Sequence, residues 1–266
     1  MPEPNSQSFH ANCLDFILLQ ESPFTRKVSR HMIKTVFHGS THIVRIPRFG
    51  AVRAINDFGL GFYCTEDPSL ASEWSVSRGR DGYVNRYRIE TNGLRILDLN
   101  NPEYCTLHWL TVLLHNRDFD MPTRQTYYAI DYLRTMFSVD YQNYDIMTGY
   151  RADDSSFSFA QDFLNGRISY EELRAVLSGA SGPGSGLQFV FKSNRAFDRI
   201  TFDGYEIAWS RDWFPRKASR DLDLRSSLYR RTGRGLSSAE IKDTPSGLYI
   251  DQILNEEIKP YDGRLR

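Results

Sequence analysis

A chain of 266 residues is long enough for one large domain or two small ones with a substantial core. Hydrophobic side chains make up 40% and charged ones 25%, the balance of a globular protein and not of a disordered one. Lys plus Arg and Asp plus Glu number 33 each, so no global basic field announces nucleic acid, and any such contact needs a local patch.

Cys13, Cys64 and Cys105 are odd in number and lack metal-type spacing, which argues against a disulfide framework and fits a reducing cytoplasm. His10, His31, His42, His108 and His115 show no ligand spacing with cysteines or carboxylates, so no metal is expected. The run Phe16 to Leu19 is too short for a signal peptide, and no segment approaches the roughly 20 apolar residues a bilayer span requires. The expectation is a soluble cytoplasmic protein with no membrane contact.

In chain order, Leu14, Ile17 and Leu18 stand at helical spacing, and Ser22-Pro23 ends that helix. From Thr35 the texture changes. "KTVFHGS", "YVNRYRIE", "LRILDLN", "YDIMTGY", "LQFVFKS" and "FDRITFDGYEIAW" are short runs rich in Val, Ile, Tyr and Phe, bounded by turn residues, and they predict strands. Helices are predicted in "DPSLASEWSVSRG", capped by Asp67-Pro68, and in "PEYCTLHWLTVLLHNRD", "TYYAIDYLRTMFSVD" and "SYEELRAVLSG". Ser169 and Glu172 have capping-box spacing at the start of the last. The two helices between Pro102 and Asp140 form one insertion between strands. The mixed order gives an α+β class. Trp74 and Trp109 read as core.

From Arg211 to Glu240 apolar side chains are scarce. Arg211, Arg216, Lys217, Arg220, Arg225, Arg230, Arg231 and Arg234 outnumber Asp212, Asp221 and Asp223. Trp213, Phe214 and Tyr229 lie among them, a composition that suits base stacking with phosphate neutralisation, and equally a solvated surface that an acidic partner covers. Leu248, Ile250, Ile253, Leu254 and Ile258 predict one docking helix at the end.

Three segments carry the candidate chemistry. "FHGS" ends a strand in His38 and then Gly39, which sets an imidazole beside backbone that a ligand can approach. The Gly39 N–H and C=O can bind a carboxamide in both directions. "DFGLGFY" places Tyr63 after Gly59 and Gly61, where a flat ring finds a stacking surface. A glycine-rich loop, Gly179 to Gly186, opens onto Leu187-Gln188 and presents a polar side chain at its exit.

This order of motifs resembles the ADP-ribosyltransferase fold, and more narrowly a bacterial family of such enzymes found as toxins in toxin–antitoxin or phage-defence loci. The resemblance rests on "FHGS", "DFGLGFYCTEDPSLASEW", "VNRY", "YDIMTGYRADDSSF" and "LQFVFKS", and covers about Thr35 to Phe202. It implies two small, mainly antiparallel sheets forming an NAD cleft, with a helical insertion and helical termini. The implied division is a helical extension at 1–34, a catalytic domain at 35–210, and an Arg-rich segment with a C-terminal helix at 211–266.

It further implies that His38 contacts the adenosine-side ribose, Gly39 the nicotinamide amide, and Tyr63 the nicotinamide ring. Ser40, Asp57, Gly59, Gly61 and Phe62 complete the implied NAD contacts. Gln188 stands where many relatives carry a glutamate that stabilises a cation-like transition state. Asp154, or its neighbour Asp153, is then a candidate carboxylate for the acceptor, although such a pair is by base rate a loop or a helix cap. The implied activity is transfer of ADP-ribose to a macromolecule, RNA before DNA through Arg211–Arg234, with an antitoxin as partner. A protein acceptor, or a non-catalytic nucleotide-binding module of the same fold, is the alternative; a histidine-based RNA nuclease is a weaker third.

Overall fold

The computed structural model describes residues 33–50, 56–151, 154–179, 187–232 and 247–266. The predicted helix through Leu14, Ile17 and Leu18, most of the glycine-rich loop, Asp153 and Arg234 lie outside the described residues.

Two small sheets organise the α+β fold. The first orders β1 (Ile33–Ser40), β3 (Gly82–Glu90) and β7 (Ile200–Ala208) side by side, all antiparallel. The second runs β2 (Phe62–Cys64), β6 (Leu187–Phe191), β5 (Ile146–Tyr150) and β4 (Ile96–Asp98), antiparallel except for the β4–β5 pair. Parallel neighbours need a long crossover. Here α2 (Thr106–Asn116) and α3 (Arg124–Met136) supply it, which is the helical insertion expected between strands. The sheets touch at one bridge, where Phe37 N donates to Thr65 O at 2.7 Å and Thr65 N to Phe37 O at 2.9 Å.

Strand period decides which side chains face the other sheet. Val36, Tyr87 and Ile89 meet Cys64, Ile146, Phe189 and Phe191 in a core between the sheets. The other face of the second sheet lies under α2, α3, α4 (Asp154–Leu164), α5 (Tyr170–Gly179) and α8 (Ile250–Asn255), which build the largest core around Trp109, Leu110, Leu133, Phe163 and Ile253. Covered on both faces, "LQFVF" is apolar along its length instead of alternating, apart from Gln188. On the outer face of the first sheet, Val84 and Ala208 pack against Ala71 and Val76 of α1 (Pro68–Ser75) and its cap.

The caps follow the sequence. Asp67 Oδ1 accepts from Ser69 N at 2.8 Å, and Ser169 and Glu172 bond reciprocally at 2.6 and 3.2 Å. α1 stops at Ser75, short of the predicted Gly79. The predicted C-terminal helix is only one and a half turns, yet it docks with Ile250 and Ile253 fully buried.

Three helices were not expected, one of them the single turn α6 (Asn194–Phe197) capped by Ser193. α4 covers "DSSFSFAQDFL", where serines and aspartates mask the buried Phe159, Ala160 and Phe163. The Arg-rich stretch forms α7 (Ser210–Thr232) with Pro215 inside it. Of its described side chains, Trp213 and Phe214 pack on the core shared by α1 and the first sheet. An Arg220–Glu73 ion pair at 2.7 Å ties it to α1.

Candidate functional site

His38 and Tyr63, far apart in sequence, meet at the seam where the sheets diverge. His38 Nδ1 lies 2.7 Å from the backbone oxygen of Tyr63. A carbonyl only accepts, so Nδ1 carries the proton and Nε2 is left as an acceptor. Burial lowers the His38 pKa, which favours this neutral form. Its ring rests on Phe62 with centroids 4.4 Å apart.

Gly39 stands next to it, and ladder alternation fixes where its backbone points. Phe37 turns its N–H and C=O to Thr65, away from β3. Two residues on, Gly39 turns the same way, where β2 has splayed off and a cavity opens. The need for glycine has a second cause. A methyl group in place of its hydrogen would collide with Ala71 O of α1 and sit 3.0 Å from Ser75 N. Close helix packing, and not only ligand approach, fixes the residue.

The chain leaving β1 is held by Asn85, fully buried on β3 opposite His38. Its Nδ2 donates to His38 O, Ser40 Oγ and His42 O at 3.1 to 3.3 Å, and its Oδ1 accepts from Val44 N at 2.8 Å. Tyr87 Oη donates to Val44 O. Ser40 is engaged within this loop, its Oγ donating to His42 O.

The opposite wall is the turn before β2. Gly59 adopts φ +77°, a left-handed conformation that favours glycine, and its N–H closes the turn onto Asn56 O at 3.0 Å. Phe58 plugs the core at 0% exposure. Tyr63 Oη donates to Gly59 O at 2.5 Å and accepts from Phe58 N at 3.1 Å, while Lys192 Nζ donates to Phe58 O at 2.6 Å. Burial pushes the Tyr63 phenol well up and brings the Lys192 ammonium down to about 8. The Tyr63 ring is thus fixed by its own hydroxyl.

Asp57 joins this turn to two further elements. Its Oδ1 accepts from Arg117 at 2.8 Å, and its Oδ2 from Gln188 Nε2 at 3.2 Å. Gln188, 2% exposed, also donates from Nε2 to Tyr150 O at 3.2 Å.

Between the walls lies a cavity of about 560 Å³, in the range of small-molecule sites. Of the sequence-predicted residues, His38, Gly39, Asp57, Gly61, Phe62, Tyr63 and Gln188 line it. Ser40 and Gly59 shape the walls without lining it. Asp154 opens α4, and its side chain lies outside the described residues. Sequence reading missed Arg48, Trp74, Arg117 and Arg151 on the lining. Trp74, expected in the core, is half-buried on the cavity wall, with the Arg151 guanidinium 5.0 Å above its ring. Asn85 was detectable, as a polar residue on the inward parity of a strand otherwise carrying Tyr87 and Ile89. The three arginines, arriving from separate elements, gave no such signal.

A family model described as a protein of unknown function, DUF3990, matches residues 34–202. The chain belongs to the DUF3990 family. The DUF3990 span begins in β1, ends in β7, and contains every residue lining the cavity, whereas α7 and the C-terminal helix fall beyond it. No curated protein matches the chain. No solved structure matches it either. Among the described residues no group of three or more His, Cys, Asp or Glu side chains is placed to hold a metal ion, and no helix is long and apolar enough to cross a membrane.

Proposed function

We propose that the chain is an NAD-dependent mono-ADP-ribosyltransferase with an ADP-ribosyltransferase-like fold. The observation that carries this reading is the convergence of His38, Gly39, Tyr63 and Gln188, from three distant segments, on one cavity. Each brings the chemistry a dinucleotide needs. The bare Nε2 of His38 accepts from a ribose hydroxyl, and the outward N–H and C=O of Gly39 suit a carboxamide. The immobilised Tyr63 ring offers a stacking surface. Arg48 and Arg151 bring positive charge for phosphates.

In the proposed reaction the bond between the nicotinamide nitrogen and the ribose anomeric carbon breaks, and its electron pair leaves with nicotinamide. The acceptor nucleophile bonds to that carbon and gives up a proton. Fixed dipoles at the ribose and enclosure of the ring favour a cation-like transition state.

The acceptor is a macromolecule, with RNA favoured over DNA. The support is local charge: Arg211 is 80% exposed in its side chain beside the exposed Trp209, and Arg216 stacks on Trp213 at 4.7 Å. Arg220 is committed to Glu73, and Trp213 and Phe214 to the core, so these three side chains do not serve this role. A cytoplasmic toxin of this kind, in a toxin–antitoxin or phage-defence system, requires an antitoxin protein as partner.

The test is release of nicotinamide from NAD by the purified protein, lost in His38→Ala and in Tyr63→Ala. Labelled NAD with separate pools of RNA, DNA and protein then identifies the acceptor; label in protein alone would defeat the preference for RNA. The glutamine at 188 favours one second reading, a non-catalytic nucleotide-binding module. That reading expects a folded protein that binds NAD and releases no nicotinamide with any acceptor.

A further inference from the structure

An amide at 188 keeps the hydrogen-bonding atoms of a carboxylate but can present either of two opposite faces. Its NH2 end donates and its oxygen accepts. Which face meets the cavity decides whether Gln188 can stand in for a carboxylate.

The neighbours settle this. One end of the amide sits 3.2 Å from Asp57 Oδ2 and 3.2 Å from Tyr150 O. Both are acceptors, so an oxygen there would face two lone pairs without a proton, and that end must be the nitrogen. Its two hydrogens are then both used. The atom left is Oε1, which no described group bonds, on a side chain that lines the cavity. Asp57 is itself held by Arg117 at 2.8 Å and is 6% exposed, so the lock is rigid.

A carboxylate on the N–H side also polarises the amide and draws negative charge onto the oxygen, since hydrogen bonds in a chain reinforce one another at low dielectric. We propose that Asp57, backed by Arg117, is a positioning residue that locks Gln188 with Oε1 as the acceptor for a ribose hydroxyl of NAD. The amide thereby does the work of the absent carboxylate. The Asp57–Gln188 lock stands on geometry alone; its use at the ribose rests on the transferase reading of the cavity.

The decisive experiment is a cycle on the full chain: Asp57→Asn, Gln188→Glu and the double variant, each read by urea midpoint and by nicotinamide release. Asp57→Asn frees the amide to turn its donors inward, and kcat should fall about 10- to 100-fold, as for loss of a partner that orients a contacting group, with KM nearly unchanged. Gln188→Glu sets two carboxylates against each other and lowers both the midpoint and kcat. The double variant restores a donor–acceptor pair between 57 and 188 with the roles exchanged, leaves Tyr150 O without its donor, and should regain midpoint and kcat over Gln188→Glu. A merely structural Asp57 would give rescue of the midpoint with no rescue of kcat, which would overturn the proposal, as would Gln188→Glu alone matching the wild type.

One measurement needs neither a variant nor NAD. The side-chain amide protons of Gln188 in the wild-type protein should exchange with solvent at least tenfold more slowly than those of exposed Gln125. Equal rates would remove the lock even if a variant failed to fold. Slow exchange and rescue of the midpoint, in a protein that releases no nicotinamide, would instead overturn the transferase reading and Oε1's role within it, leaving the lock as a structural fact.

Discussion

The cavity wall built on β1 is held by ladder bonds along a regular strand, whereas the wall built on residues 56–61 has no strand and is held by side chains reaching in from β2, β6 and the end of α2. In the first, eight residues of β1 pair in register with β3, and two buried side chains, Asn85 and Tyr87, hold the chain that leaves it. In the second, Phe58 fills the core while Tyr63 fixes two atoms of the turn and Lys192, Arg117 and Gln188 one each. A ladder wall tolerates most side-chain changes and fails where its backbone is crowded. A side-chain wall fails one contact at a time, and its centre is the apolar plug.

The largest effect should therefore come from the plug. Phe58→Ala empties a fully buried site whose ring lies against Gly149, where an added methyl would already meet Phe58 Cζ at 2.8 Å. The expected loss is about 3–5 kcal/mol, read from the urea midpoint. A loss below about 1.5 kcal/mol would mean that the polar contacts hold the turn without it.

On the ladder wall the corresponding weak point is Gly39. Gly39→Ala drives a methyl into the α1 backbone, which cannot rotate away as a side chain would. About 1–3 kcal/mol should be lost, with disturbance spreading to α1 rather than to the 56–61 turn. Chemical-shift changes confined to the turn would reverse the assignment of Gly39 to helix packing.

The same contrast explains what the sequence made legible. Most of β1, β3, β5, β6 and β7 could be read from alternation and turn residues, and the caps at Asp67 and Ser169 from local spacing, because these signals depend on near neighbours. α7 escaped because arginines and aspartates, with Pro215 among them, show no apolar period, and its start docks through the adjacent Trp213 and Phe214 and the Arg220–Glu73 ion pair. α4 escaped because polar residues flank its buried phenylalanines. Within the site, His38, Gly39, Tyr63 and Gln188 were visible as motif residues. Arg117 and Arg151 were not: one follows the end of α2 and the other the end of β5, and only the tertiary fold brings them together. The reason for Gly39 was half-read, since a sequence cannot say which side of a glycine is crowded.

An effect of the same size or smaller is expected at Asn85, because its removal spares the ladder. Asn85→Ala strips the Val44 N–H of its acceptor and three acceptors of their donor, a loss of about 1–3 kcal/mol if they stay buried and less if water reaches them. Hydrogen exchange should quicken at Val44 while Phe37 and Thr65, at the bridge between the sheets, keep their protection. Loss of protection at Phe37 would show that the loop and the ladder are not independent.

The smallest effect tests the link between the walls. His38 belongs to the ladder wall, yet its Nδ1 proton goes to the Tyr63 carbonyl on the other; protonating Nε2 keeps that bond and sets a charge in the buried seam, and burial opposes it. Burial holds the native pKa of His38 below its ordinary 6.5, while the unfolded chain titrates at that ordinary value. As pH falls from 6.5 towards the native pKa, the unfolded state takes up the proton first, so stability falls with pH through that window and is unaffected above it. Burial lowers His108 and His115 as well, and both add to the same slope. The comparison must therefore be with His38→Asn, whose side-chain amide can still donate to Tyr63 O but does not titrate. Between pH 7.5 and 5 the wild-type Tm should fall more steeply than that of the variant, and parallel curves would show that His38 is not held neutral between the two walls.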